Sequence, residues 1–376
     1  MRLRRRKGID FFGHLLKYMK LNKALACTAL TTYMFLFTLS ACGGGSKTVN
    51  PTPSQPDTTT TTKTHSLKIV GYLPMDSTSA NSVQLSQMRW KCLTHIILSS
   101  GRVSSTGHLN TRRLDRNIDN TISAAHNNNV KVLMQLYSLS LKGLYFTEVL
   151  DDAAKRAVLV QDIIAYSKSK GLDGVDINYE ERSGWGTTEA ENLYNLAKEI
   201  RAAAPSGFLI TAAVTEYDPY VSGFFDVLDF ASLMSYDHNV WSTANSQHAS
   251  YTSFQSNFET LMKKFPNIDK KKLLGGVPFY GYTWDTVSYP AAIGHTPYGV
   301  TFASILSHYG IEYADTDEVA GKASGTKTLY NGRFTIANKC AYINSNGYGG
   351  IMIWQLLQDA SSGSYSLLKI IDKNLN

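Results

Sequence analysis

The stretch GLDGVDINYEE, residues 171–181, places Asp173, Asp176, Asn178 and Glu180 within eight positions. Carboxyl groups this close serve general acid–base chemistry when their surroundings push their pKa values apart. On a β-strand alternate side chains share a face, so Asp176, Asn178 and Glu180 point one way and Val175, Ile177 and Tyr179 the other. With a rise of about 3.3 Å per residue, the three polar groups climb one face as a ladder. Glu180 stands at its top, above the Asp176 carboxylate and among aromatic neighbours, where its pKa is expected to rise so that it can act as a general acid. Asn178 interrupts the carboxylates: its amide oxygen accepts a hydrogen bond but carries no charge.

A ladder of polar groups needs an enclosure. Eight short apolar runs recur along the chain: KIVGYLP from 68, LTHIILSS from 93, VKVLMQLY from 130, GLDGVDINYE from 171, FLITAAVT from 208, VLDFASLMSYD from 227, KLLGGVPFYG from 272 and GGIMIWQL from 349. Helical periodicity fills the intervals. In TTEAENLYNLAKEIRAAA, Leu193, Leu196, Ala197 and Ile200 follow the i, i+3, i+4, i+7 pattern, and Thr188 with Glu191 reads as a capping box. A second helix carries Phe254, Phe258, Leu261 and Phe265, with Pro266 to stop it. Strands alternating with helices require parallel crossovers, and eight such units predict a closed (β/α)8 TIM barrel over residues 67–376, a single catalytic domain of α/β class. The alternative, an open doubly wound sheet, lacks a glycine-rich turn after the first strand, where GYLPMDS stands. Inside a barrel, Asp176, Asn178 and Glu180 climb toward the C-terminal rim, where barrel enzymes place their chemistry. The longest interval, between the seventh and eighth strands, predicts a modest insertion; residues 285–329 hold Tyr289, Tyr298, Phe302, Tyr309 and Tyr313, which either wall the cleft or form a small core of their own.

Charge excludes one class of partner. Residues 1–42 hold eight of the 37 Lys and Arg and one of the 30 Asp and Glu, leaving 29 of each sign in the remainder. A body without excess positive charge has no electrostatic footprint for nucleic acid. The basic charge belongs to a signal: MRLRRRK, Lys17, Lys20 and Lys23 precede the apolar run ALACTALTTYMFLFTLSA, with MKLNKALA from Met19 an alternative start. Leu39-Ser40-Ala41-Cys42 resembles a bacterial lipoprotein cleavage box in which Cys42 takes the lipid, against the alternative of an uncleaved anchor. Residues 1–42 are therefore expected to be a lipoprotein signal peptide and residues 43–66, rich in Gly, Ser, Pro and Thr, a flexible linker. Gly43 after Cys42 favours an outer-membrane or cell-surface position in a bacterial envelope. Cys92 and Cys340 stand far apart without metal-ligand spacing and read as two buried thiols; no metal and no cofactor is expected.

DGVDINYE resembles the D-G-x-D-x-D-x-E signature on the fourth strand of family 18 glycoside hydrolases, the chitinases and endo-β-N-acetylglucosaminidases. Further motifs follow in the family's order: MSYD at 234–237, with Trp241 and His248 after it, GGVPFYGYTW at 275–284, and GGIMIWQL with Trp354. The resemblance implies retaining hydrolysis in which the acetamido oxygen of an N-acetylglucosamine attacks its own anomeric carbon while Glu180 protonates the departing oxygen, without a protein nucleophile. Residue by residue it implies that Tyr236 binds the acetamido oxygen, Asn178 orients the acetamide, Asp176 tunes the ladder and Tyr72 supports it from below. It further implies that Trp354 stacks on the sugar and that Asp237 and Tyr280 line the cleft. Trp241 and Trp284 read either as stacking platforms or as packed rim aromatics.

This sequence departs from the pattern at Gln135-Leu136-Tyr137-Ser138, where the family has S-x-G-G, and at Asn178, where it has aspartate. Family 85 endo-β-N-acetylglucosaminidases use an asparagine two residues before the acid in the same role. The expected partner is a chitin-type oligosaccharide or a glycan containing N-acetylglucosamine, bound by a monomer. The chitobiose core of N-glycans, peptidoglycan and a binding protein without turnover are the other readings; Glu180 argues against the last, since the family's lectins lose that acid. The anchor is tested by labelling with a fatty acid: Cys42→Ser is expected to abolish incorporation, and absence of label on the unmodified protein rejects lipidation.

Overall fold

Each of the eight apolar runs forms a strand of one closed parallel barrel. The computed structural model describes residues 65–75, 83–115, 117–139, 145–180, 185–240, 242–288 and 297–375. The signal, Cys42, the linker as far as residue 64, Trp241 and Tyr289 lie outside the described residues. The barrel strands are β1 (Lys68–Pro74), β2 (His95–Val103), β4 (Lys131–Leu139), β5 (Gly174–Glu180), β6 (Leu209–Val214), β7 (Phe230–Leu233), β8 (Leu273–Pro278) and β13 (Gly350–Trp354). β3 (Leu109–Asn110) is a short antiparallel return on β2. Each barrel strand pairs in parallel with the next, and β13 pairs back onto β1, so the sheet closes.

Two apolar layers result from the two-residue period of the strands. Val70, Tyr72, Ile97, Leu133, Phe230, Leu274 and Met352 fill the barrel interior. The outward set, including Val175 and Ile177, packs against the helices. In the helix Thr187–Ala203 the buried face is Ala190, Leu193, Leu196, Ala197 and Ile200, the stripe expected from the sequence. Its start lies earlier than the Thr188–Glu191 pair suggests: the N-cap is Gly186, whose N–H donates to Glu189 Oε2 at 3.0 Å. The helix Tyr251–Lys264 buries Phe254, Phe258 and Leu261 and ends before Pro266. The helix Ala153–Lys170 begins on Asp152, whose carboxylate accepts from the N–H groups of Ala154 and Lys155, and ends at Gly171 with φ 74°. A left-handed residue there turns the chain directly into β5.

The insertion between β8 and β13 builds a second, antiparallel sheet in the order β10 (Tyr298–Thr301), β9 (Tyr280–Thr283), β12 (Lys327–Leu329), β11 (Glu318–Ala320). It starts five residues before 285, because the motif segment YGYT is its first strand. Val300, Phe302, Ile305 and Val319 are buried as part of the main core, while Tyr280, Tyr282, Trp284 and Leu329 gather with Val240 in a small cluster of their own. Asp285 ties it together: its carboxylate accepts from the N–H groups of Val287, Lys322 and Ala323 and from the Tyr309 hydroxyl. Burial alone would raise its pKa, but these donors outweigh burial and hold it well below the usual carboxylate range. Cys92 and Cys340 are both buried.

Candidate active site

Alternation along β5 turns Asp176, Asn178 and Glu180 into the barrel. Asp173, from the same stretch, sits at the opposite end: its carboxylate takes Lys131 Nζ at 2.7 Å, the Val132 N–H at 2.8 Å and His126 Nε2 at 2.7 Å. It holds the N-terminal edges of β4 and β5 and takes no part in the ladder.

Asp176 is wholly buried and accepts two short hydrogen bonds, from Tyr72 Oη on β1 at 2.6 Å and from Thr211 Oγ1 on β6 at 2.5 Å. Burial pushes its carboxyl up to about 6, against the two hydroxyl donors, which pull it down. Tyr72 in turn is driven well above its ordinary value, first by burial and then by Asp176, so its phenol remains a donor. Gln135 is the β4 neighbour of Asp176 in register and accepts from the Ser99 hydroxyl. The residue with which this sequence departs from the family's small serine is thus buried in the barrel beside the ladder's foot.

Asn178, 3% exposed, lies one step higher, beside Tyr137 on β4 and Ala213 on β6. Its Oδ1 is buried and has no hydrogen-bond partner among the described residues. An orphaned buried carbonyl oxygen costs about 1–3 kcal/mol, so an N–H brought to it by a ligand is favoured. Glu180, half-buried, ends β5 at the rim, close enough for its charge to bear on Tyr72, Tyr220 and Tyr236.

Tyr236 follows β7 into the same space. Burial, then Asp237, Glu180 and Asp176, push its phenol well above the usual range, so it stays a proton donor. Room for its ring comes from β8: a Cβ on Gly276 would stand 2.5 Å from the Leu233 carbonyl oxygen and 3.0 Å from Tyr236 Cε1. The chain then turns through Asp237, whose φ of 64° is left-handed and tolerable to aspartate. That turn sends the Asp237 carboxylate to the insertion, where its Oδ1 accepts from Tyr280 Oη at 2.6 Å and Tyr282 Oη at 3.1 Å, with His248 Nδ1 at 3.3 Å. Trp354, at the end of β13, sets its ring 5.2 Å from that of Tyr72 at 56°. Trp284 is 3% exposed and packs with Val240, Tyr282 and Leu329, so it lies inside the insertion rather than on an open platform. Trp241 lies outside the described residues, as does Cys42.

The barrel, the ladder and the tyrosine above it coincide with a known family. The model of glycosyl hydrolases family 18 matches residues 68–359. The chain belongs to glycosyl hydrolase family 18. Among solved structures, a chitinase from Bacteroides thetaiotaomicron shares 35% identity at a TM-score of 0.75, covering 82% of this chain and 96% of that one. A family 18 chitinase from the chitin utilization locus of Flavobacterium johnsoniae shares 28% identity at a TM-score of 0.69, covering 83% and 94%. Among curated relatives, a probable endochitinase of Caenorhabditis elegans is 26% identical over 298 residues, 65% of this chain and 48% of its own length. The chain spans about half the length of the first curated relatives it matches.

Three residues of the candidate site are not singled out by the motifs: Thr211, Ser99 and Tyr282, the last although it lies within GGVPFYGYTW. Thr211 had a signal, a hydroxyl at an inward position of FLITAAVT. Ser99 and Tyr282 are visible only once register and the insertion's fold are known.

The raised pKa of Asp176 has a stability consequence. A carboxyl that binds its proton more tightly folded than unfolded lends stability below about pH 4, and this is lost as pH rises through about 6. Ionised Asp176 therefore costs the fold about 3 kcal/mol at neutral pH. Asp176→Asn is expected to raise Tm at pH 8, with the gain vanishing as pH falls from 6 to 4, while activity drops roughly 100-fold. Thermal melts across pH with parallel assays check both halves.

Proposed function

We propose that this protein is a glycosidase that cleaves β-1,4 linkages beside N-acetylglucosamine in chitin-type oligosaccharides, using the substrate's own acetamido group. The observation that carries this reading is the orphaned Oδ1 of Asn178, buried between Asp176 and Glu180 on the inward face of β5. An acetamide fits it: the N–H donates to Asn178 Oδ1 while the Tyr236 hydroxyl donates to the acetamido oxygen. So held, that oxygen attacks the anomeric carbon as Glu180 passes its proton to the departing glycosidic oxygen. Water then opens the oxazolinium ring at the anomeric carbon, returns a proton to Glu180 and leaves the configuration retained. Trp354 offers the floor for the sugar's apolar face. The chitinases from B. thetaiotaomicron and F. johnsoniae, similar over nearly their whole chains, support chitin as the substrate class.

The family's aspartate would give the oxazolinium ion a charge that Asn178 lacks. Loss of a charge-assisted bond is worth about 2–3 kcal/mol, or roughly 30- to 150-fold in rate. The amide itself favours a second reading, cleavage of the N-glycan chitobiose core, by resemblance to the asparagine of family 85. We also propose a lipid anchor at Cys42 that holds the enzyme at the outer membrane or cell surface.

Product analysis on chitooligosaccharides, a high-mannose glycoprotein and peptidoglycan decides the substrate. Glu180→Gln is expected to lower turnover at least about 1,000-fold; identical trace products from this variant and the unmodified protein on all three would replace hydrolysis with binding. Asn178→Asp is expected to hold or raise kcat, and to shift the alkaline limb of the pH profile upward, because a second carboxylate keeps Glu180 protonated to higher pH. A fall of several orders of magnitude with the fold intact means the site is built around the amide.

A further inference from the structure

Behind the cleft lies an ammonium group that the reaction does not use. Lys339, in the helix Arg333–Asn346, is 0% exposed. Its Nζ donates to the Ala249 carbonyl at 2.8 Å and to Asn331 Oδ1 at 2.7 Å, and stands 5.0 Å from the centre of the Phe254 ring. The Asn331 amide donates to the same Ala249 carbonyl at 2.9 Å. One carbonyl oxygen thus joins the helix, the exit of the insertion and the segment that precedes the helix Tyr251–Lys264. Gln247 strengthens the junction, its amide donating to the Tyr330 carbonyl at 2.8 Å.

From Ala249 the contacts lead to the site in one step. His248, wholly buried, accepts at its carbonyl from the His238 N–H at 3.0 Å. Its Nδ1 accepts from the Asp237 N–H at 3.4 Å; the Asp237 Oδ1 nearby, 3.3 Å away, is held by the Tyr280 and Tyr282 hydroxyls. The His248 ring packs against both of theirs, at 5.2 and 5.0 Å, and they lie 5.7 Å from each other. The backbone of Asp237 is therefore fixed from the side by His248, and Tyr236 precedes it directly.

A residue needed only for packing would be apolar, since a buried cation costs several kcal/mol before its partners offset it. Burial depresses the Lys339 ammonium to about 7, with Asp317 opposing and Cys340 adding a smaller opposing effect; burial also lowers His238, with a smaller contribution from the Lys339 charge. The neutral amine keeps two N–H groups for its two oxygen acceptors, so the junction survives titration.

We propose that Lys339 is a positioning residue for the Tyr236–Asp237 turn: by fixing the Ala249 carbonyl it sets where His248 holds Asp237, and so how Tyr236 is presented to the ladder. This rests on the reading of Tyr236 as the acetamide donor. The full chain is assayed on a fluorogenic chitooligosaccharide as Lys339→Met, His248→Phe and the double variant, with folding followed by circular dichroism. Lys339→Met is expected to lower kcat about 10-fold with KM within about twofold, as misplacement of a reacting group does. In the His248→Phe background the same change is expected to cost less than about twofold, because the ring nitrogen it acts through is already lost. If the two losses multiply, or if folded Lys339→Met keeps its kcat, Lys339 is structural only and the proposal falls. Should Lys339→Met not fold, Asn331→Ala enters the same cycle with a smaller expected loss, about threefold. Independently of turnover, the His248 ring signal in NMR spectra of Glu180→Gln is expected to move when Lys339→Met, or Asn331→Ala in its stead, is added; an unmoved signal overturns the lever even where the glycosidase reading stands.

Discussion

A carboxylate sealed inside the barrel, bonded by Tyr72 from β1 and Thr211 from β6, is the constraint on which the site depends. Burying Asp176 costs stability at neutral pH, and only donors at fixed positions on two other strands make it tolerable. Those strands are fixed by barrel closure, so the foot of the ladder is as rigid as the sheet. Everything above inherits that register: Asn178 and Glu180 are placed by counting two and four residues along β5.

The upper half of the site is built on different terms. Tyr236 reaches the ladder because Gly276 leaves room for it, and Asp237 turns away because its backbone is left-handed. The insertion then closes on that turn through Tyr280 and Tyr282, and His248, next to the Ala249 that Lys339 holds, meets the backbone of Asp237. A rigid floor and a separately braced roof meet across the space where an acetamide would lie.

Most of the barrel was legible because its signals are local. Apolar runs, the stripe of Leu193, Leu196 and Ile200, and the parity of residues along β5 need no knowledge of distant chain. Parity also separates Asp173 from the ladder, although the two lie in one decapeptide. The capping residues of the helix Thr187–Ala203 were misplaced because the capping pattern looks for Ser or Thr three residues before the glutamate, whereas Gly186 caps here with Glu189. What was not legible rests on contacts between distant segments. The antiparallel order of the insertion, the packing of Trp284, and the donors Thr211 and Ser99 depend on which strand lies beside which, and no window of sequence holds that information.

Among the described residues, the insertion carries the exposed margins of the second sheet, β10 and β11. Unsatisfied strand edges recruit other chains, a hazard for any protein that must fold at high local concentration. Here the margins are four and three residues long, and β11 bears Glu318, whose carboxylate is engaged by Lys327 of the neighbouring strand. Segments so short, one of them charged, make poor templates for aggregation. The insertion can therefore brace the cleft without making the molecule self-adhesive.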